Sequence, residues 1–208
     1  MDEQFSVPLT GKEREIIDRL QAEDQRQRDA GLSVEERTRN ISETTGAYLW
    51  QMVVSHRPKS ILEIGSSTGL STLWLASAAH RVGATVLGTE IVTKRAEANN
   101  AQLQEAGLGE TARVANADHR SLEEVRTQRW DFVFLDAEKD DYLGHLQAIE
   151  PHLAPGAVIL TDNVISHDCH ELQEYLRSSQ HYSTCTVTLD RGIEYSIYLA
   201  PDPANATS

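Results

Sequence analysis

Two stretches decide how this chain reads: Asp131-Phe132-Val133-Phe134-Leu135-Asp136, running into Ala137-Glu138-Lys139-Asp140, and Ala157-Val158-Ile159-Leu160-Thr161-Asp162-Asn163, about one helix later. Each is a short apolar run that ends in a carboxylate. Runs of this length, separated by a helical pattern, predict buried strands of a parallel sheet. In an open α/β sheet, ligands bind outside the carboxyl ends of the strands. Asp136, Asp162 and Asn163 would form a hard oxygen set there, of the kind that Mg²⁺ or Ca²⁺ takes. Lys139 falls one helical turn beyond Asp136, where a positioned amine can take a proton. Either acid alone would more often cap the next helix. Both acids, with the amide and the lysine, point to catalysis.

The alternation extends on both sides. Residues 60–64, 84–89 and 112–115 read as strands, and 70–80, 93–106 and 121–127 as helices. A further helix runs through Tyr142, Leu146 and Ile149, with Pro155-Gly156 as the turn into the fifth strand. Strand and helix in alternation imply a parallel sheet with helices on both faces. Beyond residue 165 the pattern changes to a helix at 171–178, then 182–189 and 193–199 around Asp190-Arg191-Gly192. That predicts an antiparallel hairpin on the end of the parallel sheet. Upstream, residues 1–58 read as a helical cap. Ile16, Ile17 and Leu20 form a thin stripe, and Ser33 with Glu36 fits a capping box. Asn40 or Ser42 caps a second helix through Tyr48, Leu49, Met52 and Val53, ended by Pro58. The expected organisation is one domain over 1–208: cap 1–58, α/β core 59–200 and a frayed tail 201–208.

Composition narrows the function classes. The 208 residues suit one domain with a full core, and the net charge is −13. Binding to nucleic acid or to an anionic membrane needs basic patches, which are lacking here. Two cysteines, Cys169 and Cys185, make no disulfide framework, so the cytoplasm is the expected setting. No stretch approaches the roughly 20 apolar residues that cross a bilayer. The acidic start, Met-Asp-Glu-Gln-Phe, lacks a signal-peptide pattern.

Residues 61–71, Ile-Leu-Glu-Ile-Gly-Ser-Ser-Thr-Gly-Leu-Ser, read as a strand, a glycine turn and a helix start. Gly65 and Gly69 let backbone approach a ligand, and the helix N-terminus offers free N–H groups. The Gly-x-Gly-x-x-Gly spacing of dinucleotide sites is absent, which disfavours pyrophosphate. Glu63 lies inside the strand, where an acid needs a partner: a ligand's cationic end or a backbone amide. Glu90 ends the second strand, where an acid can accept from ribose hydroxyls or cap the helix that follows. Ala117-Asp118 follows the third strand, where Asp118 either meets an adenine amine or caps a helix. His167-Asp168-Cys169-His170 lacks zinc-site spacing and reads as a loop and helix start. Trp50 and Trp74 fall at apolar helical positions and read as core.

Leu-Glu-Ile-Gly-x-x-x-Gly-x-Ser (62–71), Gly-Thr-Glu (88–90), Val-Phe-Leu-Asp-Ala-x-Lys-x-x-Tyr (133–142) and Thr-Asp-Asn-Val (161–164) together resemble the cation-dependent O-methyltransferases. That family includes the catechol and caffeoyl-CoA enzymes and many small bacterial ones; the resemblance covers roughly residues 40–200. It implies a Rossmann-like class I methyltransferase fold with a seven-stranded sheet. It implies S-adenosylmethionine as cofactor, with Glu63, Gly65 and Ser71 at its methionine part. Glu90 would hold the ribose, Ala117 and Asp118 would line the adenine, and Ile41 stands where the family's cap usually has Met. It further implies that Asp136, Asp162 and Asn163 bind Mg²⁺ or another divalent cation such as Mn²⁺ or Ca²⁺, with Lys139 deprotonating the acceptor. The implied acceptor is a small phenol with vicinal hydroxyls, and the implied assembly a homodimer. The cap helices agree with the last point, since their apolar positions have few partners in view. The family's substrate-binding acid near the last hairpin aligns with Cys185 here, which puts catechol itself in doubt. A metal-independent methyltransferase, a nucleotide-binding module or dehydrogenase on the same sheet, and a catalytically silent binding protein are the competing readings.

Overall fold

A computed structural model describes residues 6–33 and 37–200. Seven described strands form one sheet in the order β3-β2-β1-β4-β5-β7-β6. They are β1 (Ser60–Ile64), β2 (Thr85–Glu90), β3 (Ala112–Asn116), β4 (Trp130–Leu135), β5 (Leu153–Asp162), β6 (Tyr182–Val187) and β7 (Ile193–Tyr198). The first five pair in parallel, and β7 runs antiparallel to both β5 and β6. The order reverses between β1 and β4, which makes the switch point where a crevice opens in such sheets.

Alternation along the strands divides the core in two. Ile61, Phe132, Phe134, Val158 and Leu160 face one side, packed with α1 (Gly11–Asp29), α2 (Glu43–His56), α3 (Leu70–Val82) and α4 (Thr93–Glu105). Leu62, Ile64, Val133, Leu135 and Ile159 face the other, against α5 (Glu123–Thr127), α6 (Tyr142–Ile149) and α7 (His170–Ser178). Successive side chains of a strand point to opposite faces, so near-continuous apolar runs fill both layers.

Several local expectations shift. Thr10 forms a capping box: its side chain accepts from the Glu13 N–H while Glu13 accepts from the Thr10 N–H. The expected box at Ser33 and Glu36 falls partly outside the described residues, as does the tail 201–208. Ser42 caps α2, and Arg57 closes it in the left-handed region before Pro58. Pro155-Gly156 lies within β5 rather than ahead of it, beside a register shift between Trp130 and Phe132. A bulge tolerates a proline that cannot donate to the ladder. The cap helices do find partners. Ile16, Ile17, Leu49 and Val53 are wholly buried in the first core cluster. This removes the physical reason for the expected homodimer, which then rests on the resemblance alone. No described helix is long and apolar enough to cross a membrane.

Candidate active site

Sheet register builds the site. Ile64 pairs with Thr89 on one side and Leu135 on the other, Leu135 pairs with Thr161, and Glu90 pairs with Asn116. The next residue on each strand therefore falls in one row: Glu90, Gly65, Asp136, Asp162. Neighbouring strands lie about 4.8 Å apart, so the row brings two acids to either side of a glycine turn and a third beside the second. The Asp136 N–H donates to the Ile64 carbonyl at 3.0 Å and extends the ladder by one step.

The glycine in that row is sterically required. Gly65 has φ +94°, and a Cβ there would sit 2.3 Å from the Asp136 carbonyl oxygen. The turn beyond it is held by Glu90, whose two carboxylate oxygens accept from the Ser67 N–H at 2.9 Å and the Val92 N–H at 2.7 Å. A carboxylate offers about four lone-pair sites, so acceptor capacity remains.

A cleft of about 1210 Å³ runs over this row. Ile41, Gly65, Glu90, Asp118, Asp136, Lys139, Asp162 and Asn163 all line it. Glu63, Ser71 and Ala117 do not. Glu63 is fully buried behind the turn, where its Oε2 accepts from Ser66 at 2.6 Å and from Thr72. Its Oε1 is buried without a partner, and burial raises its pKa. Its partners are the Ser66 and Thr72 hydroxyls rather than the backbone amide expected of it. Asp118 likewise acts as a cap: its Oδ1 accepts from the Arg120 N–H at 2.8 Å and faces His119 Nδ1 at 3.2 Å.

At the far end, Lys139 Nζ pairs with Asp136 Oδ1, donates to the Ala137 carbonyl at 2.9 Å and lies 5.1 Å from the centre of the Tyr142 ring. Tyr142 is buried and donates to the Asp162 carbonyl at 3.1 Å, which ties the lysine's support to the end of β5. Asp162 is 4% exposed. Burial and then the neighbouring Asp136 push its pKa up to about 7. Asn163 takes φ +69°, which asparagine tolerates better than most residues. Among the described residues its side-chain amide makes no hydrogen bond, and no three His, Cys, Asp or Glu side chains converge on one point.

Sequence reasoning missed part of the lining. His119 and His145 form a buried pair with ring centres 5.0 Å apart, and His119 is driven down to about 4 by burial and then by His145. Arg39, Asp190 and Arg191 also reach the cleft. No short motif marks them, since they meet only across long stretches of chain. Cys169 and His170 behave as expected, Cys169 preceding α7. Cys185 is exposed on β6 and does not line the cleft. Trp50 and Trp74 are core.

Comparison with known proteins agrees with this geometry. A family profile described as a methyltransferase domain matches residues 62–164. A probable O-methyltransferase of Mycobacterium tuberculosis is 31% identical over 176 residues, covering 78% of this chain and 73% of that protein. The catechol O-methyltransferase of the same organism is 32% identical over 126 residues, covering 60% and 57%. The chain spans 57 to 66% of the length of the first curated catechol O-methyltransferases it matches. The crystal structure of an O-methyltransferase from Bacillus cereus in complex with SAH shares the fold, with a TM-score of 0.74, 22% identity and 92% coverage of both chains. The fold is that of the class I S-adenosylmethionine-dependent methyltransferases. The chain belongs to the O-methyltransferase family.

Proposed function

We propose that this protein transfers the methyl group of S-adenosylmethionine to a hydroxyl of a small phenol with vicinal hydroxyls, held on a divalent cation, with Lys139 as base. The observation that carries the reading is the register-built row of Glu90, Gly65, Asp136 and Asp162 along one cleft. The names of the relatives support it. So does the charge of the cleft, where acidic side chains outnumber basic ones and favour a cationic sulfonium cofactor. At about 1210 Å³ the cleft exceeds a typical single-ligand pocket, leaving room for cofactor and acceptor together.

The residues fit both groups. Glu90 retains lone pairs for ribose hydroxyls. Asp136, Asp162 and the uncommitted Asn163 amide would hold a divalent cation such as Mg²⁺, since they offer hard oxygens and Asp162 is a buried carboxylate repelled by Asp136. A cation held there would lower the pKa of a bound phenol. Lys139 would take the hydroxyl proton. The phenolate oxygen then forms its bond to the methyl carbon as the carbon–sulfur bond breaks. Sulfur keeps the electron pair, leaving S-adenosylhomocysteine and a methyl ether. Tyr142 beside Lys139 and the close-packed turn at Gly65 would help to hold both reactants near an attack geometry.

One observation favours a second reading. Lys139 itself neutralises Asp136, so a metal-independent transfer would need no cation at that acid. The two separate in one experiment. S-Adenosylhomocysteine binding is measured by calorimetry, and labelled methyl transfer is followed over catechols, caffeoyl esters and flavonoids with and without EDTA. Binding with EDTA-sensitive transfer is the expected result. Full transfer in excess EDTA selects the metal-independent enzyme, and failure of S-adenosylhomocysteine to bind overturns both.

A further inference from the structure

The Asp190-Arg191-Gly192 turn does more than join β6 to β7. On one side it holds the loop that follows Asp162 and Asn163. The Val164 N–H donates to the Gly192 carbonyl at 3.1 Å, and the Ile165 and Ser166 N–H groups donate to the Arg191 carbonyl at 2.9 and 3.3 Å. Ile165 also packs on Gly192, where a Cβ would meet its side chain at 2.4 Å. On the other side the turn holds the N-terminal cap through a single carboxylate. Asp190 Oδ2 accepts from Ser42 Oγ and from Thr45 Oγ1, the latter at 2.6 Å. Ser42 is the N-cap of α2 and Thr45 is buried in its first turn. The carboxylate thus sits at the positive end of a 14-residue helix, where a negative charge is stabilised.

The turn needs such an anchor. Asp190 has φ +48° and Gly192 has φ +88°, so two of its residues lie in the left-handed region. Apart from the bonds it receives from residues 164–166, its backbone bonds are short-range: Leu189 N–H to Val187 and Gly192 N–H to Leu189. No further backbone hydrogen bond reaches residue 190 among the described residues, and its second carboxylate oxygen is free of hydrogen bonds there. Asp190, Asn163 and Ser42 all line the same cleft, so the clasp closes the wall at the end where Asp162 and Asn163 lie.

We propose that Asp190 is a positioning residue. It clasps the N-terminal cap to the β6–β7 turn and, through that turn, fixes the loop of residues 163–166 that carries Asn163 into the acceptor end of the cleft. The acceptor consequence rests on the methyltransferase reading above; the structural consequence does not.

The test compares Asp190→Ala with Asp190→Asn. Asparagine keeps an acceptor oxygen and tolerates the left-handed backbone, while losing the charge. Amide hydrogen exchange is read at Val164 and Ile165, and the acceptor KM, kcat and S-adenosylhomocysteine affinity are measured in parallel. Asp190→Ala should exchange those two amides about tenfold faster, since a hydrogen bond to a charged group closes the loop. Its acceptor KM should rise about threefold or more, with cofactor affinity unchanged. Asp190→Asn, which keeps the acceptor oxygen and loses the charge at the α2 N-terminus, should fall between the parent and Asp190→Ala in all of these. Parent-like exchange at Val164 and Ile165 in Asp190→Ala overturns the clasp. So does Asp190→Asn as impaired as Asp190→Ala, because the retained acceptor oxygen would then contribute nothing to the clasp. A protein that shows the exchange change but transfers no methyl group keeps the clasp and refutes the activity reading instead.

Discussion

Asp162→Asn should make the metal-free protein more stable at pH 8 while abolishing methyl transfer. Asp162 is an acid whose charge is disfavoured in the folded state, first by burial and then by Asp136 one strand away; its pKa is pushed up to about 7 from an ordinary 3.8. A raised carboxyl pKa means that the folded state binds the proton more tightly than the unfolded one. Stability is therefore highest at low pH, falls as pH rises from about 4 to about 7, and is flat above. Three pKa units at 1.36 kcal/mol each put the penalty at about 4 kcal/mol at pH 8. By pH 5 most of the folded carboxyl is protonated and less than half of that penalty is left. Asparagine carries no such charge, and its amide can donate to the Asp136 carboxylate beside it. For a chain of this size 1 kcal/mol moves the melting temperature by about 2–4 °C, so the variant should melt roughly 8–16 °C above the parent at pH 8. The gap should narrow by about half at pH 5. Thermal melts in EDTA followed by circular dichroism read both numbers. Mg²⁺ added at pH 8 should raise the parent's melting temperature and leave the variant's unchanged. A variant melting at or below the parent at pH 8, or a gap that does not narrow with acid, refutes the argument that Asp162 stores this repulsion.

Two further substitutions test the row. Lys139→Ala should slow labelled methyl transfer by about 10²–10⁴-fold, the usual contribution of a positioned base, with S-adenosylhomocysteine affinity by calorimetry within about twofold of the parent; a parent-like rate removes the base role. Gly65→Ala should destabilise by roughly 2–4 kcal/mol, read by urea denaturation, because a Cβ at φ +94° is strained and would overlap the Asp136 carbonyl.

The layout of the sheet was legible because its signals are local. Apolar runs of five or six residues bounded by Gly65, Glu90, Asp136 and Asp162 mark the strands, and each ends close to where the register places it. Once the strands are parallel and in this order, the row of strand-end residues follows from the chain itself, which is why each of Glu90, Gly65, Asp136 and Asp162 could be placed at a strand end. The hairpin was legible for the same reason: alternation on both sides of Asp190-Arg191-Gly192 requires a turn. Pro155-Gly156 misled because a proline usually interrupts a strand, and only the pairing of Leu153 with Trp130 reveals that β5 begins before it.

Side-chain direction and long-range pairing are a different matter. Glu63 and Gly65 are two residues apart, yet only Gly65 reaches the cleft. The Glu63 carboxylate turns towards Ser66 and Thr72 and lies so near Gly88 that a Cβ there would come within 3.1 Å of it. A sequence places an acid in a strand; which neighbours it meets depends on what β2 and α3 present to it. The cap helices looked poor in partners because their partners lie far along the chain, Ile16 and Ile17 packing in the same cluster as Trp74 and Phe132. The clasp at Asp190 is the extreme case, joining residues 148 positions apart through one carboxylate. Ser42 as a helix cap and Asp190 as a turn residue are each fully accounted for locally, so neither position signals that a second role is needed. That role exists only because the fold returns its last hairpin to the start of α2, on the same side of the sheet where Asp162 and Asn163 emerge.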